Sequence, residues 1–261
     1  MSLSYSAVPQ DLVMPAMPQL ITTVIYGLGA LVFVVYAIVL SRRYKSLLPL
    51  YAILGALLTI YLEPVVDVLG NAVHPQIGQY NVLTTNGHPV PWAVLLGYVW
   101  YFAGAILLTY KPFVEQKLLQ KHVWQMVGVV ILGAAIVEQI PLHFGTWIYY
   151  GDQWPKIGYI PLWWIFANTA AVTVPFLFIY KLIPKLKGAG QSLVVLLIPS
   201  GAFMGHAGSG WPMYNLLGTQ TELVPAWLMV AGSFGCVFLS LMLVWVLMQL
   251  IGMPTDNQDS R

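Results

Sequence analysis

Two carboxylates stand four residues apart in the segment YLEPVVDVLGN, where Glu63 and Asp67 interrupt an otherwise apolar stretch. Because residues four apart share one face of an α-helix, a continuous helix would present both groups on one surface. Asn71 extends that face if the helix continues, and Pro64 can kink it. A carboxyl group in an apolar pocket keeps its proton more readily than one in water, and can then act as a general acid. The pair therefore predicts acid chemistry in a water-poor pocket.

Two further carboxylates are candidates for a catalytic role beside this pair. Glu138 lies in the segment VEQIPLHFG, at a depth in its apolar stretch comparable to that of Glu63, and Glu222 lies just before the last apolar stretch. The alternative for all four groups is that they bond the ends of neighbouring helices or face water. Charged groups inside a membrane span are unfavourable by about 2.5–3.5 kcal/mol at its centre and by less near its ends.

Several polar and aromatic side chains in or near the apolar stretches are candidates for ligand contacts. They are Tyr61, Asn71, Tyr98, Tyr101, Trp164, Asn168 and His206. Aromatic faces stabilise cations by about 0.5–2 kcal/mol each. The alternative reading is ordinary helix packing, an interfacial aromatic belt, or a hydrogen bond between helices.

The composition indicates that these residues belong to a membrane protein. Of the 261 residues, 59% are hydrophobic and 8% are charged, whereas soluble domains contain about 25% charged residues. The net charge of +2 gives no reason to expect a nucleic-acid partner. Cys236 is the single cysteine, which excludes a disulfide within the chain. The sequence therefore predicts an all-α protein whose partner is the lipid bilayer.

A membrane span requires about 20 largely apolar residues, and seven stretches approach or exceed that length. The predicted spans are 19–40, 47–69, 91–110, 123–142, 159–182, 191–208 and 224–251. Pro199, Gly201 and Gly205 interrupt the sixth, and the segment GHAGSGWP that begins at Gly205 is expected to be a flexible break. In the loop 143–158, alternation around 146–150 predicts a short strand or hairpin.

The basic residues predict the orientation of this seven-helix bundle. Ten of the eleven lysines and arginines fall between spans 1 and 2, 3 and 4, and 5 and 6, or at the C-terminus, and Lys156 alone falls in the alternate loops. Under the positive-inside rule the N-terminus is outside and the C-terminus cytoplasmic. We expect an external tail (1–18), a transmembrane domain (19–251) and a cytoplasmic tail (252–261). The membrane would be the cell membrane in a bacterium and the endoplasmic reticulum in a eukaryote.

The chain length, the seven spans, the external N-terminus and the glutamate of YLEP together resemble the small integral-membrane terpene cyclases, which include fungal meroterpenoid and bacterial indole-sesquiterpenoid cyclases. The resemblance implies a non-redox reaction without metal or organic cofactor, in which an acid protonates an alkene or epoxide of a prenylated substrate. Glu63 corresponds to the second-span acid of that family. The fungal members carry a second acid, an aspartate, late in the chain. Span 7 here contains none, and Glu222, Asp67 and Glu138 are the alternatives.

Two other function classes remain open. One is a seven-span, metal-dependent lipid hydrolase that would use Glu, Asp and His ligands, although no two histidines stand at i, i+3 or i+4. The other is a non-enzymatic bundle that binds a lipid or pigment or acts as a sensor. The sequence contains no P-loop, HExxH, CxxC, GxSxG or Asp-rich DDxxD motif.

Overall fold

The computed structural model of the chain describes residues 7–255. Within that range the protein is mostly α-helical, and short 3-10 segments occupy Thr59–Leu62, Ile183–Lys185, Gly188–Leu193 and Thr221–Leu223. In chain order the α-helices are α1 (Ala16–Tyr44), α2 (Leu48–Leu58), α3 (Glu63–Gly70), α4 (Trp92–Leu108), α5 (Tyr110–Val114), α6 (Gln120–Val137), α7 (Gln139–His143), α8 (Leu162–Leu182), α9 (Val194–Leu217) and α10 (Ala226–Leu250).

Short strands pair into two-stranded antiparallel sheets between the helices. The strands are β1 (Ala72–Val73), β2 (Asn81–Thr85), β3 (His88–Pro91), β4 (Ile148–Tyr149), β5 (Lys156–Ile157) and β6 (Ile160–Pro161). The expected strand near 146–150 is present as β4, but it pairs with β1 rather than folding into a local hairpin. Tyr150 extends the contact by donating its backbone N–H to the carbonyl of Asn71.

Among the described residues, six helical stretches are long and apolar enough to cross a membrane. They are Ala16–Tyr44, Leu48–Gly70, Gln120–His143, Leu162–Lys185, Gly188–Leu217 and Ala226–Leu250. A shorter apolar helix, Trp92–Leu108, has 17 residues and corresponds to the predicted third span. Exposed leucine, valine and isoleucine side chains cover the outer faces of α1 and α6, as an integral membrane protein requires of surfaces in contact with lipid.

Helix α8 is the centre of the bundle. In an apolar stretch of 18 residues, 78% of the residues are buried in this helix, against 17% in the peripheral α1. Helices α6, α9 and α10 pack against α8, while α4 packs against α1 and α2. The predicted spans thus form one bundle around α8.

The expected break in the sixth span is wrong, because α9 is continuous from Val194 to Leu217. Its glycines allow close packing rather than flexibility. A Cβ atom on Gly205 would lie 2.3 Å from the carbonyl oxygen of Ala170, and one on Gly201 would lie 2.8 Å from the Cα of Pro175. The small residues therefore bring α9 against α8 at van der Waals distance.

The helix that carries Glu63 and Asp67 is too short to include Asn71 on the same face. The backbone is 3-10 over Thr59–Leu62, α3 starts at Glu63, and Asn71 adopts a left-handed conformation with φ 53° that closes α3. Asn71 therefore does not extend the face of Glu63 and Asp67. Its side-chain amide instead donates to the carbonyl of Leu217, at 3.3 Å.

The ends of the helices that carry the basic residues gather on one side of the bundle. Ser46 donates to the side chain of Gln191, the N–H of Gln120 donates to the carbonyl of Pro254, and Lys181 donates to the carbonyl of Ile251. The strands lie at the opposite end. There Val13, which the sequence placed in an external tail, forms a bridge to Ile77. Residues 256–261 of the expected cytoplasmic tail lie outside the described residues.

Candidate functional site

A cavity of about 660 Å³ lies inside the bundle, between α3, α4, α6 and α8. Its wall is mostly apolar, and at the end that carries the strands it contains three carboxylates, Glu63, Asp67 and Glu138. The sequence placed Glu63 and Glu138 in different spans without showing that they meet. Here they line one cavity.

Glu63, at the start of α3, is hydrogen bonded on both carboxyl oxygens. The hydroxyl of Tyr98, on α4, donates to Oε2. On the other side, Oε1 lies 3.3 Å from Nε2 of His74, in the loop that follows β1. The carboxyl group is thereby fixed in orientation by a helix on one side and a loop on the other.

The ring of His74 has a defined proton arrangement. Its Nδ1 lies 3.4 Å from the carbonyl oxygen of Thr146, and a carbonyl oxygen can only accept, so Nδ1 carries a hydrogen. The contact between Nε2 of His74 and Oε1 of Glu63 then holds one proton, on either the carboxyl or the ring. The two side chains therefore form a proton-sharing pair at the wall of the cavity.

Asp67 lies one helical turn after Glu63 and is 3% exposed. Its Oδ2 is 3.9 Å from Nε2 of His74, and it has no hydrogen-bond partner among residues 7–255. A buried carboxylate oxygen without a partner is unfavourable unless a ligand or solvent satisfies it. Asp67 therefore adds an unsatisfied acceptor to the site.

Glu138, between α6 and α7, is held by two donors. The Tyr149 hydroxyl donates to Oε2 at 3.0 Å, and Nδ2 of Asn168 on α8 donates to Oε1 at 3.5 Å. Burial, and after it the charge of Glu138, raises the pKa of Tyr149 well above its usual range. The Tyr149 hydroxyl therefore keeps the proton that it donates to Glu138.

Aromatic rings form the α8 and α9 side of the cavity. Trp164 packs against Tyr149, with ring centroids 5.1 Å apart, and against His206, with centroids 4.9 Å apart. Nδ1 of His206 contacts the Tyr214 hydroxyl. Nε2 of His206 and Nε1 of Trp164 are buried without a hydrogen-bond partner in the described chain, and so is the hydroxyl of Tyr101 on α4 across the cavity. The aromatic wall thus also offers polar groups to a ligand.

The predicted site residues divide into two groups. Those that line the cavity are Glu63, Asp67, Tyr98, Tyr101, Glu138, Trp164, Asn168 and His206. Glu222 is an exposed residue of the 3-10 turn Thr221–Leu223, Tyr61 is 61% exposed, and Asn71 is used to cap α3. These last three are outside the cavity lining, because α3 begins only at Glu63 and because the side chain of Glu222 is exposed.

Three residues outside the predicted set complete the site. His74 and Tyr149 contact the carboxylates. Gln153 does not, but it hydrogen bonds the backbone at the end of α3 and after β4. The amide of Gln153 donates to the carbonyls of Gly70, Asn71 and Tyr150, and its oxygen accepts from Trp163 Nε1. Of these three residues, only Tyr149 lies in a segment for which the sequence predicted structure, the alternating stretch that forms β4.

Comparison of the chain with family models, with curated proteins and with solved structures found no match. The chemistry of the cavity is therefore argued from its own residues.

The carboxylate end of the cavity also contains the kinds of ligand atom that hold a metal ion. One ligand atom each from Glu63, Asp67 and His74 lies within 4.8 Å of the others. A ligating histidine usually donates its second N–H to a carbonyl or carboxylate, as His74 does to Thr146. Two carboxylates and an imidazole suit zinc, iron(II) or manganese. The residues therefore fit a divalent cation as well as a shared proton.

Proposed function

We propose that the protein is a membrane-bound cyclase of prenyl chains, started by a proton from a carboxylic acid. The observation that carries the proposal is the meeting of Glu63, Asp67 and Glu138 in one mostly apolar cavity of about 660 Å³. Apolar walls accept an isoprenoid chain and exclude water, while the carboxyl groups supply and remove protons. The resemblance around Glu63 points to the same reaction class.

The proposed topology is seven spans with the N-terminus outside and the C-terminus cytoplasmic. Helix α4 has 17 residues and is about 25 Å long at 1.5 Å per residue, close to the hydrocarbon thickness. It packs beside α1 and α2, as a span would. Counting α4 gives an odd number of spans, which agrees with nine basic residues, Arg42 to Lys187, at one end of the described bundle and Lys156 at the other.

In the proposed reaction, Glu63 gives its proton to the terminal alkene, or to the oxygen of a terminal epoxide. The π electrons of an alkene form the new C–H bond and leave a cation on the neighbouring carbon. The next double bond attacks that cation, forms a ring C–C bond and moves the charge along the chain. The Glu138 carboxylate removes a proton beside the last cation and a new alkene forms. One proton enters and one leaves, so the product of an alkene substrate is its isomer.

The residues around Glu63 and Glu138 have separate tasks in this scheme. Tyr98 and His74 hold the donor, and the single proton between Glu63 and His74 is the one that Glu63 gives to the substrate. Tyr149 and Asn168 orient the base. The ring of Trp164 lines the cavity beside Tyr149, the partner of Glu138, and an aromatic face there stabilises a cation. Apolar walls that keep bulk water away from the cation protect it from quenching.

The test is to replace Glu63 with Gln and to assay prenylated substrates in membranes for cyclised product. The amide keeps the size of the side chain but has no acidic proton. We expect a loss of about 10²-fold or more, the usual contribution of a general acid. Asp152→Asn is the matched control, because Asp152 is exposed at the same end of the bundle. Undiminished cyclisation by Glu63→Gln would remove Glu63 as the acid.

A metal-dependent lipid hydrolase is the second candidate, favoured by the arrangement of Glu63, Asp67 and His74 within 4.8 Å. Metal analysis of the purified protein separates the two functions. Stoichiometric zinc that is lost in Asp67→Asn and kept in Glu138→Gln would support the hydrolase. Protein that cyclises substrate and contains no metal after dialysis against a chelator would support the cyclase.

A further inference from the structure

The cavity is long as well as large, and it follows α6 from one end of the bundle towards the other. Its lining includes Glu138 at the end of α6 and His122 in the first turn, with Val130 and Met126 between them. At 1.5 Å per residue, Glu138 and His122 are separated by about 24 Å along the helix. A ligand that fills the cavity is therefore extended along the bundle axis.

The cavity also opens through the side of the bundle, between α4 and α6. These helices face each other across the cavity with almost no direct packing. Leu108 of α4 and Val129 of α6 line the cavity and yet are 68% and 69% exposed. Val137 lines it further along α6 and is 38% exposed. Apolar residues that face both the cavity and the outside border a slit towards the hydrocarbon of the bilayer.

The two ends of the cavity are polar and its middle is apolar. The carboxylates occupy one end, and Thr109, His122 and Gln125 line the other. The backbone N–H of Leu119 donates to Nδ1 of His122 at 3.0 Å, so the hydrogen of the neutral ring lies on Nε2. Nε2 of His122 and the Gln125 amide are therefore hydrogen-bond donors at the end far from the acids.

We infer that the cavity binds a linear prenyl amphiphile that enters sideways from the bilayer. Its apolar terminus lies at Glu63 and Glu138, and a head with hydrogen-bond acceptors, such as a hydroxyl or phosphate, lies at His122 and Gln125. The inference rests on the proposed function for the reaction at the acid end, but the binding mode is independent of turnover. Cyclisation then begins at the terminus farthest from the head, and the head is retained in the product.

Photolabelling with two saturated prenyl alcohols, which cannot be cyclised, tests the orientation. One carries a diazirine at the chain terminus and the other beside the hydroxyl. Labelled peptides of the full-length protein in membranes are identified by mass spectrometry. The terminal probe is expected to label the segments around Glu63 and Glu138, and the head probe the segment around His122. Reversed labelling would overturn the orientation, and labelling confined to the outer faces of α1 and α10 would overturn the binding site.

Two glycines of α6 provide a matched pair for the entry route. Gly133 lines the cavity and Gly128 is not part of its lining, and a Cβ atom on either would have no heavy atom within 4 Å. Gly133→Phe is expected to weaken labelling by about 10-fold or more, equivalent to at least 1.4 kcal/mol, because the ring occupies the slit. Gly128→Phe is expected to label as the unchanged protein does. Equal labelling of both variants would overturn entry between α4 and α6.

Labelling and catalysis separate the two proposals. If the saturated probes label as expected and no prenylated substrate is cyclised, the binding mode stands and the cyclase fails. If substrates are cyclised while the probes label only the lipid-facing surfaces, the cyclase stands and the binding mode fails. For Gly133→Phe, recovery of the protein in the membrane and its size-exclusion profile distinguish a blocked slit from misfolding, and the orientation test on the unchanged protein needs no variant.

Discussion

Nε2 of His74 lies 3.3 Å from Oε1 of Glu63, although eleven positions separate the two residues and only Glu63 is helical. The contact exists because Asn71 ends α3 in a left-handed conformation, after which β1 pairs with β4 and the following loop returns along α3. The carbonyl of Thr146, just before β4, fixes the other ring nitrogen. The proton between Glu63 and His74 is thus positioned by a turn and a sheet pairing.

The first prediction concerns His74. His74→Phe retains a ring but removes both nitrogens, so Glu63 loses its proton-sharing partner. We expect kcat for cyclisation to fall by about 10²-fold, within the range of general acid–base catalysis, with a smaller change in KM because the cavity wall stays apolar. Steady-state kinetics in membranes measures both constants. His143→Phe is the control, since His143 is exposed and bonds the Tyr159 hydroxyl. An unchanged kcat in His74→Phe would exclude this role.

The second prediction concerns Glu138 as the base that ends the reaction. Glu138→Gln keeps the length of the side chain but cannot take up a proton from carbon. We expect slower turnover, by about 10²-fold, and a shift towards products with the alkene elsewhere or with water added. Gas chromatography with mass spectrometry of the product mixture measures both effects. Glu222→Gln, an exposed site outside the cavity, should give the original profile. The same profile from Glu138→Gln would assign deprotonation to another group.

The sequence predicts the bundle well because hydropathy and length decide which segments enter a membrane. Six of the predicted spans coincide with long apolar helices, and the third with the shorter α4. Proline and glycine in span 6 misled the prediction of a break. Their effect depends on whether a neighbouring helix packs against them, as α8 does against Gly205, and a single sequence does not show that neighbour.

The carboxylates of the site are predictable individually, but their partners are not. A buried acid inside an apolar stretch is conspicuous because burial of charge is unfavourable. His74 and Tyr149 come from loops outside the spans, and their positions follow from the left-handed Asn71 and from the pairing of β1 with β4 across more than seventy residues. Glu222 has the same residue type and a similar place near a span, but its side chain is exposed.

The third prediction concerns the packing of α9 on α8. In Gly205→Ala the new Cβ atom would lie 2.3 Å from the carbonyl oxygen of Ala170, which is backbone and cannot rotate away. The helices must separate, and we expect a loss of about 1–3 kcal/mol of stability, the usual range for overpacking. Gly128→Ala is the matched control in an open position and should be neutral or stabilising by up to about 1 kcal/mol. The midpoint of thermal unfolding in detergent measures both. Equal midpoints would contradict the close contact.

The last prediction concerns the orientation and the number of spans. Asp152 is exposed at the acid end of the bundle and Lys185 is exposed at the basic end. In a Cys236→Ser background, which removes the single, buried cysteine, each position can be changed separately to cysteine. A maleimide that cannot cross membranes should label Asp152→Cys in intact cells and Lys185→Cys only after the cells are opened. The reason is that ten of eleven basic residues would otherwise face outside, against the positive-inside bias.

The alternative outcomes of this labelling are equally specific. The opposite pattern would reverse the orientation and open the acid end of the cavity towards the cytoplasm. Labelling of both cysteines from the same side would mean that the segment between them, α8, does not cross the membrane. A further cysteine in place of Lys45, between α1 and α2, tests α4. Lys45→Cys should behave as Lys185→Cys does, because an even number of proposed spans separates the two positions: span 2 (α2 with α3), α4, α6 and α8. If Lys45→Cys is labelled from outside while Lys185→Cys is protected, α4 is not a span and the count falls to six.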